Sequence, residues 1–312
     1  MHIRDTPLWH FGERVVVSIG SRLGLPVRFS EIWTISVYEG DSPFRLRPAA
    51  GVRHPVLTAR HVTDVPARFV ADPFWVFEGG EWFLFMEVLN ARTGQGAIGL
   101  ATSADGRKWR YRQIVIEEPF HQSYPCVFRA GADWYMTPSG LHGGGVKLYR
   151  AVDFPHRWEV VGDLILGPYA DPTIVFHDGA WYMFVGVEFS CLRLFTAPAL
   201  EGPWTEHPSS PLRERDHVYA RPAGRIVNVD GRLYRFAQDC RFRYGVMVRP
   251  VEITRLSPTE YAERPIEEPI LGPGEGWNRG GMHHVDAHRL PDGRWVAVVD
   301  GWRVNPVWGL TD

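Results

Sequence analysis

Cysteine is scarce in this 312-residue chain: Cys126, Cys191 and Cys240 are an odd set without a CxxC pair, which excludes a disulfide framework and a thiolate metal site. Each lies in or beside an apolar, strand-like run, as buried thiols do in a reducing cytosol. An excess of one charge is also missing. Thirty-four Lys and Arg face 36 Asp and Glu, a formal net charge of −2, so the basic footprint that nucleic acid or an anionic membrane requires is absent. No apolar run approaches the length that spans a bilayer. Met1 to Gly24 has no apolar segment before a small-residue cleavage site, so no signal peptide is expected. The expectation is a soluble, cytoplasmic protein acting on a small molecule or oligosaccharide, its oligomeric state left open. No HExxH spacing points to zinc. No cofactor is expected, although the histidines leave room for a structural cation on an axis.

What the sequence does have is a repeat. Asp72–Phe77 leads through Gly79-Gly80 into Trp82–Phe85, and Ser123–Phe128 leads through Gly131 into Trp134–Met136. Asp171–Phe176 passes Asp178-Gly179 into Trp181–Phe184, Arg221–Val227 passes Asp230-Gly231 into Leu233–Phe236, and His284–Leu290 passes Asp292-Gly293 into Trp295–Val299. These segments predict five hairpins. The turn glycines at 80, 131, 179, 231 and 293 recur at steps of 51, 48, 52 and 62 residues, the length of a four-stranded propeller blade with its connections. A third strand follows each of the first four hairpins: Ile98–Ala101, Lys147–Arg150, Leu192–Phe195 and Val246–Arg249. Three of these run into turns closed by Trp109, Trp158 or Trp204, and the fourth has Tyr261.

The fifth unit runs out of chain, because Asp300–Asp312 is too short for two more strands and a turn. Ile32–Tyr38 and Arg14–Val17 read as strands and precede the first unit. They are expected to complete the last blade, which removes two exposed sheet edges. This shortage and the hairpin pattern select a propeller over a sandwich or a β-helix. The prediction is therefore an all-β, five-bladed β-propeller in one domain over residues 1–312, with closing strands in 1–70 and blades starting near 72, 123, 171, 221 and 284.

The strand openings Ala71-Asp72-Pro73 and Ala170-Asp171-Pro172 resemble those of five-bladed furanosidase-type propellers, including family 43 glycosidases. A fuller resemblance, over most of Asp72 to Gly301, is to bacterial relatives of the N-terminal propeller domain of plant glucosamine inositolphosphorylceramide transferases. It is carried by Ala71–Phe74, His121–Pro125, Ala220–Arg225, Gln238–Cys240 with Tyr244-Gly245, and Gly281–His284. The resemblance implies the fold and a carbohydrate-type site.

The innermost strands of a propeller surround one axis, so the first polar residue of each unit should face a common funnel. That nominates Asp72, Ser123, Asp171, Arg221 and the cluster His283-His284-Asp286, with His121, Tyr124 and Gln238 beside them. Glycoside cleavage needs one carboxylate as base or nucleophile and another as acid. By resemblance Asp72 is the base and Asp171 tunes it. The acid is where the chain departs from family 43, because Arg221 holds the place of the expected Glu. In the second unit Thr137–Gly140 likewise stands where the transferase relatives carry a Glu. Glu87 and Glu188, at the far ends of second strands, are the substitute acids, whereas Glu201 falls in an outer turn beside Trp204. Arg221, Arg225 and Arg241 gather guanidinium groups suited to a phosphate or carboxylate, unless Arg225 and Arg241 brace neighbouring aspartates. His121, His283, His284 and His288 supply groups that titrate near neutrality. The expected function is hydrolysis or transfer of a glycosyl unit, anionic or nucleotide-linked, with His284 among the catalytic candidates. The alternative is a non-hydrolytic propeller, either a glycan-binding module or a biosynthetic enzyme that reuses the funnel.

Overall fold

The computed structural model describes residues 27–308 except Leu141, and these form five four-stranded antiparallel sheets arranged as a five-bladed β-propeller. From the axis outward, the first blade is Ala67–Glu78, Glu81–Asn90, Gly96–Ser103 and Arg110–Ile116. The second is Ser123–Ala130, Asp133–Ser139, Gly145–Asp153 and Arg157–Leu166, and the third is Ala170–His177, Ala180–Val187, Cys191–Ala197 and Thr205–Glu206. The fourth is Val227–Val229, Arg232–Asp239, Met247–Leu256 and Tyr261–Pro265. At the tips of the third and fourth inner hairpins, Asp178-Gly179 and Asp230-Gly231 both have positive φ. Two consecutive left-handed residues give a turn whose twist matches the flanking strands.

The fifth blade is composite. Val285–Arg289 and Trp295–Trp308 come from the C-terminal part of the chain, Val27–Gly40 and Leu46–Pro48 from the N-terminal part. Val27–Gly40 pairs along its whole length with Trp295–Trp308, from Val27 opposite Trp308 to Gly40 opposite Trp295. The expected closing strand Ile32–Tyr38 thus lies inside an observed one. The outermost strand is Leu46–Pro48, and Arg14–Val17 lies outside the described residues. No helix of the described residues is long and apolar enough to cross a membrane.

Strand alternation builds the core. In Glu81–Asn90, Leu84, Met86 and Val88 pack toward the fifth blade with Ile35, Val37 and Val298, while Phe85 packs toward the second with Val127, Met136 and Trp158. Successive side chains leave a strand on opposite faces, so each blade contributes to two of five apolar layers between neighbours. Trp109, Trp158, Trp204 and Tyr261, which close the outer turns, each fill one of these layers.

Candidate active site

The first three inner strands carry the same local distortion. Their pairing with the second strand slips between Ala71 and Phe74, between Ser123 and Cys126, and between Ala170 and Thr173. Within each slip one residue is left-handed: Asp72 at φ 52°, Tyr124 at φ 48° and Asp171 at φ 54°. Each precedes a proline, which has no N–H to lose from the ladder, and a bulge re-aims the side chain it carries. Non-glycine residues in this region cost of order 1–3 kcal/mol each and persist only where their surroundings hold them. This corrects the phase read from the sequence in the second blade. Ser123 occupies the position of Ala71 and Ala170 and pairs with Ser139, and Tyr124 holds the aspartate position.

Four carboxyl groups meet at this level of the axis. Asp72 Oδ2 accepts the Tyr124 N–H at 3.2 Å, and Oδ1 lies 3.5 Å from His283 Nε2 and 3.9 Å from His284 Nδ1. Asp300, fully buried in Trp295–Trp308, joins two blades. Its Oδ2 accepts the Asp72 N–H at 2.9 Å, and its Oδ1 accepts the His283 N–H, His283 Nδ1 and the His284 N–H at 3.2, 2.8 and 3.1 Å. Asp171 Oδ2 accepts Arg221 Nε at 2.6 Å and Gln238 Nε2 at 3.2 Å. The Arg221 guanidinium lies against the rings of Phe189 and Tyr244, 5.0 and 5.2 Å from their centroids. Among the described residues, no acceptor is hydrogen-bonded to its terminal amino groups.

Glu87 is the fourth carboxyl. It stands opposite Ala71 on the neighbouring strand and is buried. His121 Nδ1 accepts the Gly96 N–H at 3.0 Å, so the proton of the neutral ring is on Nε2, 3.3 Å from Glu87 Oε1 but not aligned as a hydrogen bond. Gly96 keeps this space open: a Cβ there would stand 2.9 Å from the His121 ring and 3.0 Å from Glu87 Oε1.

The protonation states follow from these surroundings. Burial lifts Asp72, His283 draws it back, and the charges of Asp300 and Asp171 lift it again, to about 7. Burial, then Asp72, Asp300 and Asp171, hold Glu87 well above its ordinary range and so favour its protonated form. Burial works against the charge of Asp300, but His283 and the donors around it outweigh burial and keep Asp300 ionised. His283 is pulled down by burial and raised more strongly by Asp300 and Asp72. Burial pushes His121 and His284 down to about 4, so both are neutral. Neither ring nitrogen of His284 has a hydrogen-bond partner, and the ring lies against Phe74 and Tyr124.

The ligand atoms of Asp72, His283 and Asp300 lie within 4.8 Å of one another, close enough to surround a cation. Asp300, however, already takes four hydrogen bonds and His283 Nδ1 is one of the donors. Asp72 Oδ1 and His283 Nε2 take none of these hydrogen bonds, and two such donors make a poor set for a resident metal.

Other nominated residues form struts. The Tyr124 hydroxyl lies 2.7 Å from Thr173 Oγ1 and accepts the Gly224 N–H at 2.7 Å, so this fully buried side chain has no group left for a ligand. Arg225 grips Asp286 through Nε and Nη2 at 2.8 and 3.2 Å, and Asp286 also accepts the Trp75 N–H at 2.9 Å. That contact is three residues further along the inner strands than Asp72 and His283, about 10 Å at the usual strand rise. His288 Nε2 lies 3.4 Å from Asp286 at this deeper level. Arg241 binds Asp239, as its bracing role anticipates, while Glu188 and Glu201 are exposed. Sequence reasoning missed Asp300, Tyr244 and Phe189. Asp300 sits in the last strand pattern with no turn or spacing to mark it, and its partners are 17 and 228 residues away.

Comparison with known proteins places this geometry in context. Residues 30–302 match the family model described as glucosamine inositolphosphorylceramide transferase 1, N-terminal. A relative of that transferase name in Oryza sativa subsp. japonica is 38% identical over 298 residues, covering 87% of this chain and 40% of the relative. Its counterpart in Arabidopsis thaliana is 34% identical over 322 residues, covering 95% and 42%. The chain therefore spans about two fifths of the length of the curated relatives it matches. Among solved structures, a glycosyl hydrolase from Bacteroides ovatus superposes with a TM-score of 0.64 at 12% identity, covering 82% of this chain and 92% of that one, a likeness of fold.

Proposed function

Since the chain belongs to the family of the glucosamine inositolphosphorylceramide transferase N-terminal domain, we propose that its funnel binds a glycosyl group and cleaves or transfers it by acid–base catalysis. The observation that carries this reading is the pairing, in one funnel, of two buried carboxyls with different surroundings: Glu87, beside His121 and pushed well above its ordinary range, and Asp72, beside His283 and pushed up to about 7. Two carboxyls pushed to different protonation states by their surroundings can divide the roles of acid and base. Glu87 gives a proton to the departing oxygen. Asp72 takes one from the incoming hydroxyl or attacks the sugar carbon itself. Asp171, itself held by Gln238, anchors Arg221, whose terminal amino groups suit a phosphate or carboxylate on the sugar, and Phe189 and Tyr244 offer ring faces beside it. The substrate class in this reading is an anionic or nucleotide-linked sugar. A reducing compartment is part of the same proposal, supported by three separate thiols.

The test is a panel of aryl glycosides and sugar nucleotides, with turnover assayed beside ligand-induced shifts of Tm. Asp72→Asn and Glu87→Gln are expected to lose turnover by a hundredfold or more, on the order that general acid–base groups contribute, and to keep binding. Arg221→Ala is expected to weaken binding of anionic ligands. A second reading is favoured by Arg221 itself, which holds the place of the acid expected from the family 43 pattern: a propeller that binds a glycan without cleaving it, or serves another biosynthetic reaction. Wild-type protein that turns over no sugar, yet gains Tm with anionic ligands by mass action, would select it. Fast hydrolysis of a neutral pentoside, indifferent to Arg221→Ala, would remove the anionic-sugar proposal.

A further inference from the structure

His283 is fixed more tightly than a ring that merely fills space needs to be. Trp33 stacks on it with centroids 4.0 Å apart and planes at 30°, and Tyr244 meets it edge-on at 5.2 Å. Asp300 accepts both the backbone N–H of His283 and its Nδ1–H, which sets the tautomer and the ring angle together. Nε2 then lies 3.5 Å from Asp72 Oδ1, within ion-pair reach. The same Asp300 accepts the Asp72 backbone N–H, so one buried carboxylate locates both members of the contact. Gly245 allows the Tyr244 loop to close on this unit, because a Cβ there would stand 2.5 Å from Trp33 and 3.2 Å from His283.

We propose that Asp300 and His283 are positioning residues for Asp72: Asp300 holds the imidazole so that its protonated Nε2 stays beside Asp72 Oδ1 as a charge partner. The proposal rests on the reading of Asp72 as the base. Asp72 alone would be held protonated by the field of Asp300 and Asp171 and could not act as a base. The His283 proton balances those charges from blade five and Arg221 balances them from blade four. When a substrate hydroxyl gives its proton to Asp72 Oδ1, the O–H bond breaks, its electron pair stays on the substrate oxygen, and His283 keeps its own proton. No further reactant is required. The groups facing His283 are Asp72 from blade one, Asp171 from blade three, Tyr244 from blade four, and Asp300 and neutral His284 from blade five.

The experiment is a ¹⁵N NMR titration of the histidine rings in the full chain, with the His283 signals identified by their loss in His283→Gln. In wild-type protein Nδ1 should stay protonated at every pH and Nε2 alone should respond. Asp72→Asn should lower the His283 midpoint by about one pH unit, as removal of a nearby opposite charge does. Asp300→Asn should lower it further and free the tautomer. A wild-type His283 with Nδ1 unprotonated would overturn the proposal. So would a midpoint unmoved by Asp72→Asn, which decides the matter even if Asp300→Asn does not fold. Where a substrate is found, Asp300→Asn should also displace one limb of the pH–rate profile, which simple loss of stability would not do. The readings fail separately: Asp72→Asn that retains turnover sinks the base assignment, and an uncoupled His283 in an active enzyme sinks this one.

Discussion

Two buried carboxylates on the same axis, Asp72 and Asp286, have opposite fates. Asp286 meets the Arg225 guanidinium through two hydrogen bonds and the Trp75 N–H through a third, and it is held far below the usual carboxylate range: burial would raise it, and Arg225 and His288 outweigh burial. Asp72 receives one backbone N–H, a histidine at 3.5 Å and the fields of two further aspartates, and it stays near neutrality. Both are almost fully buried, so burial alone does not separate them. The difference is the partner. A bidentate arginine makes a fixed ion pair that joins the fourth and fifth blades, whereas an incomplete set of partners leaves a group able to exchange a proton.

The largest effect should come from breaking the completed pair. Arg225→Met leaves Asp286 charged without its guanidinium partner, and urea denaturation at pH 7 should show a loss of about 3–5 kcal/mol, as for other buried pairs with one partner removed. A loss below about 1 kcal/mol would mean that the two carboxylates are not so different. Opposite pH slopes give the second test. Asp72 is raised, so between its unfolded value and about 7 the folded state binds more protons, and its contribution makes stability fall as pH rises through that window. Asp286 is depressed, so its contribution is present above the unfolded value and is lost as pH falls through the folded one. Asp72→Asn should therefore gain about 1–2 kcal/mol at pH 8 and nothing at pH 4, while Asp286→Asn should flatten the acid limb of a Tm–pH curve. An Asp72→Asn protein as pH-dependent as wild type would break the comparison. The smallest effect belongs to the Arg289–Asp230 pair at the exposed hairpin tips, 3.2 Å apart. Arg289→Ala should change Tm by about one degree or less, because solvent screens such pairs to a few tenths of a kcal/mol.

Much of this molecule is legible in a repeat of roughly fifty residues. The Asp-Pro openings, the Gly turns and the aromatic second strands announce blades, since each segment carries its own alternation and turn chemistry. The strand-like run Ile32–Tyr38 ahead of the first unit announces a closing strand, and it lies inside the one that pairs with Trp295–Trp308. The phase of the second blade was not legible, because a one-residue bulge exchanges Ser123 for Tyr124 and periodicity cannot show where a bulge falls. Nor could spacing tell that Arg225 binds Asp286, 61 residues away, while Arg221 binds Asp171, 50 residues away. Both arginines look equally free for a ligand until the blades are arranged in a circle.

By itself, then, the sequence determined the number of blades, the composite closure and the convergence of Asp72, Asp171 and Arg221 on one axis, because these depend on local patterns repeated in order. Only the tertiary structure decided which of the converging groups are satisfied and which can still take or give a proton. That property depends on Asp300, His283 and Asp286 meeting partners from other blades at distances of 2.8 to 3.5 Å. Protonation follows from burial and the nearest charge, and neither exists until the ring is closed.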